Sequence, residues 1–520
     1  MPDTHDIFII GGGINGCGIA RDAAGRGYKV TLAEMSDIGS ATSSASSKLF
    51  HGGLRYLEYF EICLVREALK EREVLLRAMP HISWPMRFVL PYHSSIGFEA
   101  NTPLSKLLNV IMPWMRNRRP SWLIRFGLFL YDTLGGRDIL PGTKSIKLGT
   151  SPEGLPLKDK YSRAYEYSDC WVDDSRLVSL NARDAAERGA NIRVRTKVIS
   201  VDRKQDHWVV HCENAETGKR DMAKARILVN AAGPWVNETI EQILKFNNKQ
   251  PIRLVRGSHI VTKSLYDHKK AYLLQGNDGR IIFVIPYENN FTLIGTTDIA
   301  HEDISIKPVC TQEEQEYLLD FANQYFMRKL TFKDIVWSYS GIRPLFDNGA
   351  DNASALTRDY TLRVEKQGGA PILNIFGGKI TTYRKLAEKA LTHIGKEIPN
   401  DHGNWTATAP LPGGDFTLEF FEEMCVRMVR DFPFLSHNHS RRLVRAYGTD
   451  VFKMFQTVVS IKDLGVFFGT DLTQLEVEWL IEKEFARSVD DIIWRRSKLG
   501  LNMTEDQIAE LDQWMKLRLG

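Results

Sequence analysis

The chain has 520 residues, 43% hydrophobic and 25% charged, with a formal net charge of +4. That length exceeds one ordinary core and implies two or three domains, and the composition excludes a disordered or fibrous protein. So small a net charge on so long a chain gives no argument for nucleic acid.

The opening stretch, MPDTHDIFIIGGG, runs straight into an apolar strand, so no signal peptide is expected. The strand ends at Gly11-x-Gly13-x-x-Gly16, an Ala-rich helical segment follows, and a second apolar run closes on Glu34. A bare G-x-G-x-x-G is often a plain tight turn. Strand, glycine turn, helix, strand and acid in this order make the dinucleotide fingerprint. The glycines let backbone approach a pyrophosphate at the positive helix N-terminus, and Glu34 would take the ribose hydroxyls. NAD and FAD both stay open at this point.

Residues 41–58, ATSSASSKLFHGGLRYLE, come next. Small hydroxyl residues usually make a flexible linker, but apolar periodic sequence bounds this run on both sides. Residues 81–150 then carry nine Lys or Arg against three acids. There Trp114, Trp122, Phe126, Phe129 and Tyr131 interleave with Arg116, Arg118, Arg119 and Arg125. Rings with arginines suit an interfacial element on anionic lipid; a packed helix pair and single-stranded nucleic acid are the other readings. The longest uncharged apolar run of the region, residues 107–115, falls far short of the roughly 20 residues that span a bilayer.

Residues 171–196 read as a helix and a strand, 198–219 as a hairpin, and 226–235, RILVNAAGPW, as a later strand of the first sheet. Residues 251–335 hold strands and a hairpin, turning at Asn289-Asn290, that suit a sheet capping the cofactor. Far downstream, ILNIFGGKITTYRKL leads a strand through Gly377-Gly378-Lys379 into a helix starting near Thr381. A second glycine-rich helix start suits FAD, whose ring lies away from its ADP half and gains negative charge on reduction. NAD has no such need. After the PLPGG linker, residues 401–520 are helical, with 14 basic against 19 acidic groups and a stripe of Leu472, Leu475, Val477, Trp479 and Leu480. They suggest a scaffold or docking surface. No Ca²⁺ loop of the D-x-[DN]-x-[DN]-G type is present, and six scattered cysteines without a C-x-x-C pair argue for reduced thiols and no metal. His437 and His439 are read as surface groups.

The segments GGGINGCGIARDAAGRG, ATSSASSKLFHGGLRYLE, EREVLL, EYSDCWVDDSRLV, GSHIV, IGTTD, YSGIRPL, TRDYTL and FGGKITTYRKLAE closely resemble the bacterial aerobic glycerol-3-phosphate dehydrogenase family. These are FAD enzymes of the D-amino-acid-oxidase-like class, bound peripherally to the inner membrane. The resemblance covers about residues 5 to 515; residues 94–120 look longer than the family expects. It implies an α/β + α fold: a Rossmann-like FAD-binding domain, a β-sheet substrate-capping domain and a C-terminal all-helical domain. The FAD-binding parts are 1–80, 151–250 and 336–400, the capping domain 251–335 and the helical domain 401–520; 81–150 is a basic, aromatic membrane-contact insertion.

The activity so implied is oxidation of sn-glycerol 3-phosphate to dihydroxyacetone phosphate by hydride transfer to flavin N5, with electrons passed to membrane quinone. A related oxidase would use oxygen, and a flavin redox sensor would not turn over. For the cofactor, the resemblance points to Gly11, Gly13, Asn15, Gly16, Glu34, Thr42, Ser43, Ser46, Ser47, Gly52, Val198, Gly233, Gly341, Gly377, Gly378, Lys379 and Thr381. A secondary alcohol beside a phosphate needs a base and cations, and arginine's planar fork suits the dianion. Arg55, Tyr56, Arg343 and Arg358 resemble the family's substrate clamp, with Arg343 also near the chemistry. Lys379 would stabilise the reduced flavin anion. Two histidines, His51 and His259, contend for the base and the choice stays open. The expected partners are quinone and the inner face of the cytoplasmic membrane, with no nucleic acid, and a homodimer is admitted. The expected location is cytoplasmic, peripheral to the inner membrane.

Overall fold

The computed structural model describes residues 4–93, 102–104, 121–136, 138–245, 251–276, 280–346 and 359–520. β1 (Thr4–Ile10) runs through the glycine turn into the helix Ile14–Gly25, and β2 (Val30–Ala33), buried throughout, returns parallel to it. The chain then starts a second sheet with β3 (Leu49–Phe50), β4 (Ser83–Tyr92), β5 (Lys144–Lys147) and β6 (Arg163–Val172). It comes back to the first sheet with β7 (Asn191–Arg193), β8 (Thr196–Arg203), β9 (Trp208–Asn214) and β10 (Arg220–Asn230). β11 (Ile252–Lys263), β12 (Ala271–Gln275), β13 (Ile281–Tyr287), β14 (Phe291–Gly295), β15 (Ile299–Ala300) and β16 (Ile335–Phe346) complete the second sheet. β17 (Tyr360–Glu365) and β18 (Ile372–Gly377) close the first.

The first sheet has the order β17-β18-β10-β1-β2-β7, with β9 beside β10 and β8 beside β9. Its centre, β18-β10-β1-β2-β7, is parallel. Parallel strands need both faces covered, which is why they read as continuous apolar runs. The helices Ile14–Gly25, Asp174–Glu187 and Tyr383–Glu397 pack into one core over this sheet, through Ala20, Ala23, Ala185, Ala387 and Ala390. Asp173 starts the second of them, its carboxylate accepting from Arg176 N at 3.1 Å. The later strand at 226–235, the 198–219 hairpin and the strand before Gly377 all form as the pattern predicts.

The second sheet is mostly antiparallel, in the order β15-β11-β14-β13-β12-β4-β6-β3, with β16 beside β11 and β5 beside β6. It draws β3 to β6 from well upstream of residue 251, so long-range pairing builds it. The β13–β14 hairpin turns where expected, with φ of +42° at Glu288 and +64° at Asn289.

Beyond residue 404 the helices Phe421–Asp431, His437–Tyr447, Gln474–Glu484 and Glu505–Leu519 enclose a separate core around Met428, Leu443, Val451 and Leu480. One short hairpin, β19 (Phe467–Gly469) with β20 (Leu472–Thr473), interrupts the expected all-helical pattern. His437 is exposed, but His439 is buried and so corrects its reading as a surface group. Ser436 caps the helix by accepting from His439 N at 3.1 Å, and the His439 ring lies near Arg442, Asp471 and Glu476. Among the described residues no helix is long and apolar enough to cross a membrane.

Candidate cofactor groove and active site

A cavity of about 450 Å³ lies along the carboxyl ends of the parallel strands. Gly11 and Gly13 line its floor, Glu34 and Val198 one end, Gly233 one flank, and Gly377 with Gly378 the other end. Gly11 has φ of +107°, and an added Cβ would stand 2.5 Å from Ala231 O, so only glycine serves there. Gly16 backs the same turn outside the cavity, where a Cβ would strike Gly11 O. Glu34 accepts from Gly12 N at 2.7 Å and Ser36 N at 2.9 Å. Burial raises its pKa against those two donors, which favour the ionised form. Asn15 donates to Gly377 O at 3.1 Å while its Oδ1 is buried without a hydrogen-bond partner. One residue thus joins the two glycine-rich turns and leaves an acceptor unsatisfied between them. Glycine floor, helix N-terminus, acid at one end and orphaned amide oxygen at the other fit FAD in extended form.

The serine run divides its work. Thr42 and Ser43 line the cavity; Thr42 donates to Ile342 O at 2.6 Å and Ser43 Oγ accepts from Ile14 N at 3.0 Å. Ser46 instead donates to Asp174 at 2.7 Å, beside the buried Lys48–Asp174 pair. Ser47 Oγ stands 2.9 Å from His259 Nε2. Gly341 lies under this run, where a Cβ would come within 2.8 Å of Ala45 Cβ.

The second sheet supplies the facing wall. Antiparallel register sets Tyr339, His259, Gly295 and Phe283 in one row across β16, β11, β14 and β13, so their side positions share a face. Gly295 is the gap in that row. The His259 ring lies over it, and a Cβ there would be 2.1 Å from His259 Cδ2. Tyr339 stacks on the ring at 4.8 Å, and its hydroxyl donates to Ser46 O at 2.8 Å. The imidazole is therefore pinned, with Nε2 at Ser47 and Nδ1 buried without a hydrogen-bond partner. Burial, then Arg343 and Lys48, hold its pKa well below the ordinary histidine value, so the ring is neutral at pH 7. Two positions of β16 beyond Gly341, on the same face as Tyr339, Arg343 pairs with Asp298 and donates to Thr296 Oγ1 at 3.0 Å.

The turn at 51–59 completes the wall. His51 meets the edge of Phe283 at 6.1 Å between centroids and donates its backbone N–H to Thr381 Oγ1 at 3.3 Å. Both candidate histidines thus reach the same sheet row, on either side of Gly295. Arg55 and Tyr56 lie half-buried in a 3-10 turn, and Lys379 Nζ stands 3.8 Å over the Tyr56 ring. Gly52 donates to Tyr131 Oη at 2.7 Å; that hydroxyl donates to Asp169, which pairs with Arg72 at 2.7 Å. Tyr131 is 1% exposed, which corrects its place among the interfacial aromatics. Trp122, Phe126 and Phe129 of the helix Ser121–Leu134 are exposed. Arg358, Trp114, Arg116, Arg118 and Arg119, with most of the long 94–120 segment, lie outside the described residues. Ser47, Thr296, Asp298 and Tyr339 join the wall without an assigned role toward a histidine or arginine in the sequence; IGTTD and YSGIRPL were the only signals that held three of them.

Known proteins show what this arrangement is similar to. The model of the FAD-dependent oxidoreductase family matches residues 6–384, and that of the C-terminal domain of alpha-glycerophosphate oxidase matches residues 404–518. The D-erythritol 1-phosphate dehydrogenase of Brucella abortus is 46% identical, covering 99% of this chain and 98% of that protein. The glycerol-3-phosphate dehydrogenase of Pseudomonas aeruginosa is 45% identical, covering 99% and 96%. The solved glycerol-3-phosphate dehydrogenase of Bacillus halodurans, complexed with FAD, superposes with a TM-score of 0.72 at 26% identity, covering 99% and 90%.

Proposed function

This chain belongs to the FAD-dependent oxidoreductase family, and on that premise we propose that it oxidises sn-glycerol 3-phosphate to dihydroxyacetone phosphate. The observation that carries the reading is the pinned, neutral His259 on the same sheet face as Arg343, beside the groove that fits FAD. Bound FAD supplies the two-electron acceptor for the substrate's C–H bond. His259, unprotonated at pH 7, takes the proton of the substrate hydroxyl through the Ser47 hydroxyl at its Nε2, and Tyr339 keeps its ring in place. Arg343, oriented by Asp298 and Thr296, holds the phosphate or the developing alkoxide, and Arg55 and Arg358 complete the clamp. Lys379, over Tyr56, supplies positive charge at the second glycine turn.

A second reading is favoured by the Brucella relative: D-erythritol 1-phosphate as substrate. Both compounds carry a phosphate on a primary carbon next to a secondary hydroxyl, so one arginine clamp and one base serve either. Membrane quinone as acceptor belongs to the same proposal. The exposed Trp122, Phe126 and Phe129 lie on one side of their helix with Arg125 beside them, which suits the headgroup region of an anionic bilayer.

The test is anaerobic mixing of the purified yellow protein with each polyol phosphate in turn, followed by ubiquinone or air. Bleaching with glycerol 3-phosphate and reoxidation by quinone support the leading reading. Bleaching only with erythritol 1-phosphate supports the second, and colour retained with both overturns the substrate assignment.

A further inference from the structure

The C-terminal helical domain reaches the cofactor groove from behind. Five of the seven residues of 34–40 line the cavity: Glu34, Met35, Ser36, Gly39 and Ser40. Asp37 faces the other way and its side chain is fully buried. It receives Arg496 at both carboxylate oxygens and Arg495 Nε at Oδ2. Arg496 also donates to Glu484 O, so its guanidinium is fixed on the helical domain's side. A second arm runs through Arg195, whose Nη2 donates to both oxygens of Asp491 at 3.0 and 2.9 Å. The backbone of Arg195 donates to Ser36 O at 3.0 Å, and Thr196 N to Glu34 O at 2.8 Å. Asp491, Arg495 and Arg496 all lie in the one helical turn Asp491–Arg496.

We propose that this turn is a clamp that positions the 34–40 loop for FAD: Asp37 and Arg195 are positioning residues through which the helical domain holds the cofactor. The physical reason is pre-organisation. A loop that donates backbone groups and Glu34 to a ligand binds it more tightly when its ordering cost is already met before binding. A buried carboxylate held by two arginines is a stiff anchor, because removing one partner leaves buried charge uncompensated. The proposal rests on membership of the FAD family and is independent of the substrate.

The experiment follows FAD release from diluted holoenzyme by the rise in free-flavin fluorescence, alongside thermal unfolding. Asp37→Asn is compared with Asp450→Asn, which breaks another buried interdomain pair, Arg183–Asp450, neither of whose residues belongs to the 34–40 loop. The clamp predicts that Asp37→Asn raises the FAD dissociation constant about tenfold or more, the equivalent of about 1.4 kcal/mol. Asp450→Asn lowers thermal stability and leaves FAD release unchanged. Equal acceleration in both variants, or none in Asp37→Asn, overturns the proposal and leaves a general domain contact. If Asp37→Asn does not fold, Arg495→Gln, which removes one of the three bonds to Asp37 and the bond of Arg495 to Asp491, carries the test with the same two outcomes.

Discussion

The two walls of the site are built from different materials. The cofactor wall is glycine and main chain: Gly11, Gly13, Gly377 and Gly378 line the groove, and Glu34 is held by backbone N–H groups. The facing wall is side chain on antiparallel strands, where His259 and Arg343 depend on neighbours three strands wide. The first wall should fail when atoms are added and the second when charge or polar partners are removed.

The largest effect falls on the cofactor wall. Gly11→Val places branched atoms against Ala231 O at a φ of +107° and should abolish flavin binding, read as loss of the yellow absorbance in purified protein. Arg343→Gln, on the other wall, should keep FAD and lower kcat/KM by about a hundredfold or more, since charge-assisted hydrogen bonds contribute about 1.5–3 kcal/mol each. Gly295→Ala sharpens the contrast, because here an added atom meets a side chain. It should displace the His259 ring and lower kcat by about tenfold, with the flavin spectrum retained. The smallest effect on turnover is expected from Tyr131→Phe. It removes the hydroxyl between Gly52 N and Asp169 and should cost about 1–3 kcal/mol in thermal or denaturant unfolding.

Acid stability separates the walls again. His259 is buried neutral, so its folded pKa is depressed below that of the unfolded chain. The unfolded state then binds the extra proton first as pH falls. The contribution of this group to stability is complete above about 6.5 and is lost progressively below that value. Wild type should therefore lose more stability than His259→Gln between neutral and mildly acidic pH.

What the sequence disclosed follows the same division. The glycine turns, the parallel strands and the helix starts were legible because a tight turn or a buried apolar run is a local demand on residue type. The Ser47–His259 contact was not, because it joins residues 212 apart through a sheet register that no short motif encodes. Asp298 stood in plain view in IGTTD, yet only the packing of β11 between β14 and β16 brings it to Arg343. Ser46, expected at the cofactor, turns to Asp174 because Lys48 buries a cation there that needs the carboxylate anchored. Tyr131 and His439 read as surface groups from their polar or exposed neighbours in sequence, whereas each ring is buried near residues of other segments, Gly52 and Asp169 for the first and Asp471 and Glu476 for the second.

The most direct test of the account is the pH dependence of anaerobic flavin reduction by polyol phosphate in the stopped flow, for wild type and for His259→Gln. The account predicts a wild-type rate that holds steady down to below pH 6.5, and a variant that keeps its flavin but is slower by about 10²–10⁴-fold without that acid limb. A variant as fast as wild type, or a wild-type inflection at or above 6.5, contradicts it.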